Sequence, residues 1–538
     1  MSQSTELHSL EEADQAPPGP DGSEGRPAEG DGAWPRDSKG ASFTSRQLGW
    51  MLLFTLLAAA LRLTNIGEWS LWIDEAHTFR DVITPTGEFW ESGTSNYPLS
   101  YMLLRGCAGM FGMVPADLSE QVMRLPFAFF GIASVPAVAI VARGMVGSSA
   151  ALLAALFLAM SPWHIYWSQN ARSYSMVLFF CLVATGAAYH GFHRRSLPML
   201  LAALVFFFLG GFSHPSGYVV LASALLYLLL VMVMQSGKGP RFSKWGALGI
   251  LVVSAVVVFL LQPVVERMLE VKDSRFSLFH LTQTMVFYVG VPVLIAAVGG
   301  MLHLFDRQAP SATFLGVMFV LPMLALSILS MVGVQTVSAQ YAVAALPVTY
   351  ILAATLIMAF ARAFKGTGTR TMVLQMVPLG MIVVHMLGQD YLYFVKQYGW
   401  RPRWEEAVRY IETHAPRTGK SETRILTTNG PSVRYYVDSS NFFAARQRDE
   451  TVCVKAISIY SWAKRSPESF LEEQVELAER RRESLWAVMT EPELEEMDRD
   501  GRGNSFFRKR FRQVRRLPNW TGPKDMCVLV YHYDPKSR

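Results

Sequence analysis

The chain has 538 residues, of which 51% are hydrophobic and only 17% are charged. Soluble proteins carry about 25% charged residues, so this composition favours a polytopic membrane protein. The net charge of +6 combines an acidic N-terminal tail with basic short loops, and no nucleic-acid-binding motif accompanies it. Four cysteines without CxxC spacing exclude a zinc ribbon and a disulfide-dense scaffold.

The first 44 residues are rich in Pro, Gly, Ser, Asp and Glu and contain few large apolar side chains. Such a segment buries too little apolar surface to offset the conformational entropy lost on folding. We therefore predict that residues 1–44 form a disordered cytoplasmic tail. The segment is not a cleavable signal peptide, because the apolar run that follows it starts too late and is too long.

Apolar runs recur between residues 45 and 390, which we expect to form the transmembrane catalytic domain. A membrane-spanning helix needs about 20 apolar residues. Eleven candidate spans meet this requirement: 47–66, 123–143, 148–167, 172–192, 197–213, 217–235, 245–263, 283–304, 312–333, 340–361 and 371–390.

The run 98–113 is shorter and carries Arg105, so its role depends on the basic loops. Lysine and arginine collect in cytoplasmic loops, and clusters occur at 194–195, 238–244 and 362–370. With eleven spans and 98–113 lying flat, these clusters and the N-terminus share one side of the membrane. We therefore predict an amphipathic interfacial helix inside a first outer loop, 67–122. The polar, aromatic-rich connections then all lie on the outer face.

Residues 391–538 have the composition of a soluble domain, which this topology places outside the cytoplasm. Helices alternate with strands, so we predict a small α/β domain with a largely parallel sheet. The predicted elements are helices at 404–414, 467–482 and 491–498, a turn at 429–431, and strands at 424–427, 451–458, 485–489 and 526–533. If the strands that contain Cys453 and Cys527 are neighbours, a disulfide between them is geometrically possible.

Several motifs in the membrane part occur in a recognisable order. They are Trp72-Ile73-Asp74-Glu75-Ala76, Asn96-Tyr97-Pro98-Leu99-Ser100-Tyr101, Arg124-Leu125-Pro126, Ser161-Pro162-Trp163-His164, Arg172-Ser173-Tyr174, His214-Pro215-Ser216-Gly217-Tyr218 and Gln340-Tyr341. In order and spacing the set resembles the bacterial branch of the GT-C glycosyltransferases, relatives of protein O-mannosyltransferases and of the lipid A aminoarabinose transferase. The resemblance covers roughly residues 47–435.

The resemblance implies a polyprenyl-phosphate-linked sugar donor, an inverting transfer and an active site on the outer face. It also implies two juxtamembrane helices in the first outer loop, in agreement with the flat helix at 98–113. The chain departs from its relatives at Gln340-Tyr341, where many of them have Arg-Tyr. If that arginine holds the donor phosphate, another group replaces it here. The first loop also lacks the lysine of the aminoarabinose transferase.

The adjacent carboxylates Asp74 and Glu75 are the candidate catalytic residues. Ionisable groups at the membrane boundary are costly and usually functional, and sugar transfer needs a general base that takes the acceptor proton. We assign this role to Asp74. Glu75 either orients the acceptor or is a helix N-terminal acid stabilised by the helix dipole, and capping of an interfacial helix could explain the pair as a whole. Two carboxylates alone do not predict a metal site.

Arginine suits the donor phosphate because its guanidinium binds phosphate oxygens in pairs and stays charged. Arg172 is the first candidate, although an interfacial arginine that reaches toward the headgroups is an equal alternative. His77 and Arg80 lie one helical turn apart and can both face the donor. A polar surface position is the plainer interpretation of His77.

Four further residues complete the predicted substrate site. His214 could bind phosphate or acceptor, or be a hydrogen-bonded structural histidine. Tyr97 and Tyr174 could stack on a sugar, although interfacial tyrosines commonly anchor a protein in the membrane. Gln340 occupies the position at which relatives carry the arginine.

The basic run at 508–516 could contact anionic lipid or an anionic glycan, but a solvated helix face or edge strand explains it more simply.

The sequence thus predicts a polytopic α-helical membrane protein of the GT-C type with a C-terminal soluble α/β domain. Its expected partners are a polyprenyl-phosphate-linked sugar donor, membrane lipid and an extracytoplasmic acceptor (lipopolysaccharide, another envelope glycan or a protein), with no cofactor and no nucleic acid. The expected location is the cell membrane. The alternatives are a transporter of lipid-linked sugars and a catalytically inactive membrane scaffold.

Overall fold

The structure is a computed structural model that describes twelve segments of the chain. They are residues 42–83, 98–113, 118–234, 278–331, 339–364, 368–396, 398–415, 423–438, 454–458, 467–497, 501–519 and 526–533. The predicted tail up to residue 41, the predicted span 245–263, the basic cluster 238–244, Tyr97 and Cys453 lie outside the described residues.

The N-terminal part of the described chain is helical. Its α-helices are α1 Ser45–Leu63, α2 Ile73–Ile83, α3 Pro98–Met110, α4 Glu120–Val146, α5 Ser148–Ala159, α6 Pro162–Ser168, α7 Tyr174–Arg194, α8 Leu197–Ser213, α9 Ser216–Met234, α10 Leu278–Tyr288, α11 Val291–Phe305, α12 Ala309–Met331, α13 Leu346–Ala363 and α14 Thr369–Tyr391. A 3-10 helix, Ala339–Ala345, leads into α13, and short turns at Leu392–Lys396 and Tyr398–Trp400 follow α14.

Within the described residues, six helices are long and apolar enough to cross a membrane, or up to eight spans if two bent helix pairs each count once. The bent pairs are α5 with α6, at 59°, and Thr282–Tyr288 with α11, at 97°. The shorter apolar helices α8 and Ser216–Val231 match two more of the predicted spans. The chain is a polytopic membrane protein, and the count of eleven spans stays a prediction.

The bend between α5 and α6 has a local cause at Ser161-Pro162. Proline has no backbone N–H, so a helix is easily interrupted at this residue. The hydroxyl of Ser161 caps the new helix by accepting from the amide of His164 at 3.2 Å. The buried guanidinium of Arg62 donates to the carbonyls of Leu158 and Ala159, each at 2.9 Å. The backbone groups that the break releases therefore keep hydrogen-bond partners.

The helix α3 lies within the run predicted to be interfacial. It has 13 residues, about 20 Å of helix, which is shorter than a bilayer core of about 30 Å. Its buried residues Tyr101, Leu104 and Ala108 pack against Val82 of α2. The helix pair in the first loop is thus held together by an apolar contact, and its orientation in the membrane stays a prediction.

A small sheet domain follows the last helix of the membrane part. Its elements are α15 Trp404–His414, β1 Thr423–Thr427, α16 Gly430–Asp438, β2 Val454–Ser458, α17 Pro467–Arg481, β3 Ser484–Thr490, α18 Glu491–Met497, α19 Arg502–Arg510, β4 Phe511–Leu517 and β5 Val528–Tyr533. The five strands have the order β2-β1-β3-β5-β4. Apolar side chains cover both faces of this sheet in two separate clusters.

One face of the sheet is packed against the first loop. Leu71 is fully buried in the same apolar cluster as Trp404 and Ile425. The backbone amide of Leu71 donates to the hydroxyl of Tyr436 at 2.7 Å. Across the same contact, the rings of Phe79 and Tyr435 meet edge to face with centroids 4.8 Å apart. The C-terminal domain is therefore docked on α2 and on the segment that precedes it.

Three sequence-based expectations for this domain need correction. The sheet is mixed: β2, β1 and β3 are parallel, whereas β5 pairs antiparallel with both β3 and β4. Residues 429–431 are the start of a helix rather than a turn, because the side chain of Asn429 accepts from the amide of Ser432 at 3.2 Å. Strands β1 and β3 separate β2 from β5, so the condition for a disulfide between Cys453 and Cys527, that their strands are neighbours, is not met.

The basic run at 508–516 forms the end of α19 and most of β4. Strand β4 pairs only with β5 among the described strands, and most of its residues are exposed. This is the edge-strand alternative that the sequence left open.

Candidate active site

Helix α2 carries both predicted catalytic carboxylates in its first turn. Acidic side chains at this position are stabilised by the helix dipole, and the amide of Trp72 points to Glu75 Oε2 at 3.5 Å. Neighbouring residues of an α-helix project about 100° apart. Asp74 and Glu75 therefore face different surroundings, and the structure assigns them different environments.

Glu75 is completely buried and paired with two arginines. Arg124 forms a two-pronged ion pair, with Nε 2.8 Å from Oε1 and Nη2 2.9 Å from Oε2. The Nε of Arg401 lies 3.3 Å from Oε2, and the amide of Ala171 donates to Oε1 at 2.8 Å. Both carboxylate oxygens are thus engaged by protein groups. This geometry favours the helix-terminal, structural interpretation of Glu75 over contact with the acceptor.

The charge state of Glu75 follows from these partners. Burial alone would raise the pKa of the carboxyl group, but the charges of Arg124 and Arg401 outweigh it and hold the pKa below its ordinary value. The remaining N–H groups of Arg124 donate to the carbonyls of Ile66, Trp69 and Ser70. The result is a fully ionised, buried cluster that fixes the start of the first loop.

Asp74 faces outward from this cluster, with 31% of its side chain exposed. The Nε of Arg172 lies 3.9 Å from Asp74 Oδ2. The same guanidinium donates through Nη1 to the hydroxyl of Thr78 at 3.3 Å, and Thr78 is one helical turn after Asp74 on the same face of α2. The structure therefore brings the predicted base and the first predicted phosphate ligand together.

His77 and Arg80 continue along α2. Burial, and then the charge of Arg80, lowers the pKa of His77, so His77 is neutral at physiological pH. Arg80 is mostly exposed and its guanidinium pairs with Asp81 at 2.8 Å. The Asp81 carboxylate also accepts from the hydroxyl of Tyr101 in α3 at 3.2 Å. Arg80 thus takes part in the contact between the two loop helices.

An aromatic row extends from the start of α7 to the 3-10 helix. Ring centroids are 4.9 Å apart for Tyr174 and His214, and 5.1 Å apart for His214 and Tyr341. Burial, and then the charge of nearby Arg172, lowers the pKa of His214 to about 3. His214 is therefore an uncharged residue beside Arg172, and its Nδ1 accepts from the amide of Ser216 at 3.1 Å. Gln340 directly precedes Tyr341 in the 3-10 helix.

Three residues hold the site together without having been assigned a role from the sequence. Arg124 belongs to a motif at the start of a span, and Gln169 to an outer loop, but their partners are distant in the chain. Gln169 Nε2 donates to backbone carbonyls at the end of α1, the shortest bond being 2.6 Å to Thr64. Arg401 gives no sequence signal beyond its place after the last apolar run. Only the fold shows that Arg124 and Arg401 enclose Glu75, and that the carbonyl of Gln169 accepts from Arg401.

Comparisons with known proteins give similarity at the level of structure. No protein-family model matches the chain, and no curated protein sequence does so. ArnT from Cupriavidus metallidurans in the apo state superposes with a TM-score of 0.52 at 14% sequence identity, covering 92% of this chain and 99% of that one. The same protein bound to undecaprenyl phosphate gives 0.51 at 14% identity, covering 91% and 99%.

A second structural neighbour is the apo oligosaccharyltransferase of Archaeoglobus fulgidus. It superposes with a TM-score of 0.51 at 13% sequence identity, covering 82% of this chain and 69% of that one. Both neighbours belong to the GT-C superfamily of glycosyltransferases. The chain therefore has the GT-C fold, as the resemblance of its motifs implied.

Proposed function

We propose that the protein is a membrane glycosyltransferase that moves a sugar from a polyprenyl-phosphate donor to an extracytoplasmic acceptor. The acceptor class is lipopolysaccharide, another envelope glycan or a protein. The GT-C fold supports a transferase, and the ArnT structure with undecaprenyl phosphate supports a lipid-phosphate donor. The observation that carries the proposal is the juxtaposition of Asp74 and Arg172, 3.9 Å apart on the partly exposed face of α2.

The chemistry of transfer fits this pair. The acceptor hydroxyl attacks the anomeric carbon, and the bond from that carbon to the phosphate oxygen breaks. Asp74 takes the hydroxyl proton as general base, while Arg172 stabilises the departing polyprenyl phosphate. Attack from the face opposite the leaving group inverts the anomeric centre. Asp74 thus acts on the acceptor side of the sugar and Arg172 on the phosphate side, so the 3.9 Å contact between them opens when the donor binds.

The remaining predicted site residues support this arrangement in uncharged or peripheral roles. His214 lies near Arg172, Tyr174 packs on the His214 ring, and Gln340 precedes Tyr341 in the 3-10 helix. We propose that these neutral side chains contact sugar or acceptor. His77 lies on α2 and carries a neutral imidazole. We place the site on the extracytoplasmic face of the cell membrane, because the basic loops of the sequence point to the other side. Glu75 serves as a support for α2.

The direct test is sugar transfer by purified protein from a synthetic polyprenyl-phosphate donor. Asp74→Asn keeps the shape of the side chain but cannot take the proton, and we expect transfer to fall by about 10²–10⁴-fold. Thermal unfolding of this variant should match the wild type. The control is Asp306→Asn, since Asp306 is exposed at the end of α11, and its transfer rate should not change.

Near-wild-type transfer by well-folded Asp74→Asn would remove Asp74 as the base.

Mass spectrometry of envelope glycans from a deletion strain identifies sugar and acceptor. Loss of one defined sugar is the expected result, whereas an unchanged glycan profile would contradict the proposed role in the cell.

A further inference from the structure

The segment that joins the membrane domain to the sheet domain contains a strained backbone turn. Tyr398, Gly399 and Trp400 all have positive φ, at 47°, 65° and 53°. For residues other than glycine this conformation is unfavourable and persists only where the surrounding structure enforces it. At Gly399 a β-carbon would come within 2.8 Å of the Trp69 ring. The turn is therefore packed tightly against the first loop.

Because of this turn, two consecutive residues, Trp400 and Arg401, pack against the membrane domain. The ring of Trp400 lies 4.7 Å from Tyr288 and 4.9 Å from Tyr393, measured between centroids. Arg401, which follows, is fully buried. A buried guanidinium is unfavourable unless its charge and its N–H groups find partners. The contacts of the Arg401 side chain therefore indicate why this strained turn is maintained.

One N–H of the Arg401 guanidinium, on Nη1, donates to the carbonyl of Gly399 in the turn itself at 2.9 Å. Its other partners belong to the surroundings of the proposed active site. Its Nε lies 3.3 Å from Glu75 Oε2. Its Nη2 donates to the carbonyl of Gln169 at 2.5 Å, and its Nη1 donates to the Tyr393 hydroxyl at 3.3 Å. The charge also lies over the face of Tyr166, 5.1 Å from the ring centroid. Gln169 belongs to the loop that carries Arg172, and Glu75 is the neighbour of Asp74.

The other end of Arg401 is tied to the sheet domain. Its backbone carbonyl accepts from Nδ2 of Asn519 at 2.6 Å. Asn519 is buried and stands just after the edge strand β4. One residue thus connects the last part of the soluble domain, through its main chain, with the carboxylate beside the proposed base, through its side chain.

We propose that Arg401 is a positioning residue through which the C-terminal domain holds Glu75 and so orients Asp74 for sugar transfer. The inference rests on the proposed function and adds a role for the C-terminal domain. Arg401 does not meet the substrate in this arrangement. Its removal therefore acts on turnover, whereas the affinity for the donor phosphate depends on Arg172.

The first experiment compares Arg401→Gln, Asn519→Ala and Arg409→Gln with the wild type in the transfer assay. Arg409 is an exposed arginine of α15 paired with Glu405, so its variant is the matched control and should behave like the wild type. We expect Arg401→Gln to lower kcat by at least about 10-fold, the scale of a misplaced catalytic group, and to leave the Kd for polyprenyl phosphate within about 2-fold. Asn519→Ala should lower kcat less.

The pH profile separates positioning through Glu75 from a general loss of structure. The charged and titratable groups around Glu75 are Arg124, Arg401, Tyr166 and Tyr393. Because its folded pKa is depressed, Glu75 supports the site above that pKa and loses this role as the pH falls. Removing Arg401 takes away one of its two cations, so the acid limb of kcat should move upward by at least about one pH unit. Asn519→Ala keeps the charge and should leave the acid limb in place.

Hydrogen exchange gives a readout that does not require activity. In Arg401→Gln, the amides of α2 should exchange at least about 10-fold faster than in Arg409→Gln. Unchanged protection of α2, wild-type kcat with an unshifted acid limb, or a loss of donor affinity as large as the loss of kcat would each overturn the positioning role. If the wild type transfers no sugar from any donor, the proposed function fails, and the exchange measurement still decides whether Arg401 holds α2.

Discussion

At the scale of single residues, two adjacent carboxylates have different surroundings. Asp74 is partly exposed beside Arg172, whereas Glu75 is enclosed by Arg124 and Arg401. The sequence indicated the importance of the pair but left two roles open for Glu75. Those roles depend on what lies on each side of α2, and that information comes from segments far away in the chain.

Replacing Glu75 should cost stability. Glu75→Gln leaves two buried guanidinium groups without their counter-charge, and breaking a buried ion pair costs about 3–5 kcal/mol. We expect a clearly lower unfolding temperature in detergent. Because the folded pKa of Glu75 is depressed, the wild-type protein should show the same loss as the pH falls through that pKa. Glu476→Gln, which removes an exposed partner of Arg480, should unfold at the wild-type temperature.

Arg172 should determine the affinity for the donor. Arg172→Ala removes a charge-assisted contact to phosphate that is worth about 1.5–3 kcal/mol, which corresponds to a roughly 10–100-fold higher Kd for polyprenyl phosphate. Asp74→Asn should change this Kd much less. Titration of purified protein with polyprenyl phosphate checks both, with the exposed Arg195→Ala as control. Equal Kd values for Arg172→Ala and the control would remove Arg172 from the phosphate site.

At the scale of elements, length and hydrophobicity predicted the helices well. The predicted runs 197–213 and 217–235 agree closely with α8 and α9, because an apolar run of this length has few other conformations in a membrane. Short sequence patterns were less reliable where the same residue type is common in two different local structures. Asn429 beside glycine and proline suggested a turn, but an asparagine side chain serves equally well as a helix N-cap.

The contact between α11 and α13 depends on a glycine. A β-carbon on Gly300 would lie 1.9 Å from the carbonyl oxygen of Leu352, and backbone cannot move aside as a flexible side chain can. Gly300→Ala should therefore destabilise the membrane domain by about 1–3 kcal/mol or more. Gly380→Ala is the control, because a β-carbon there meets no atom within 4 Å. Thermal unfolding in detergent compares the two, and equal unfolding temperatures would contradict the close helix contact.

At the scale of the whole molecule, the direction of insertion follows from the segregated basic loops. We expect alkaline phosphatase fused after residue 395 to be active and the same enzyme fused at Gly239 to be silent, since it is active only outside the cytoplasm. Measuring both fusions at equal expression tests the topology. The reverse pattern would refute eleven spans together with a flat helix at 98–113.

The sequence was sufficient to identify the GT-C fold and to propose Asp74 as the base, but not to predict the assembly of the site. Motif order identifies the fold, and the position of Asp74 after the first span places it at the membrane boundary. The ion pair between Glu75 and Arg401 could not be predicted, since neither residue lies in a pattern that specifies the other. The order of the strands in the sheet could not be predicted for a similar reason, because strand pairing is decided by contacts between residues distant in sequence.

The burial of Leu71 within the C-terminal domain has a consequence for biosynthesis. Its amide is bonded to Tyr436, 365 residues later in the chain, and domains emerge from the ribosome in order from the N-terminus. While the intervening helices are made, neither the side chain of Leu71 nor its backbone amide can form its contacts with the sheet domain. We therefore expect a nascent or prematurely ended chain to expose this loop, which the docked domain covers. Docking at Leu71 thus distinguishes a molecule whose synthesis has passed Tyr436 from one that ends earlier.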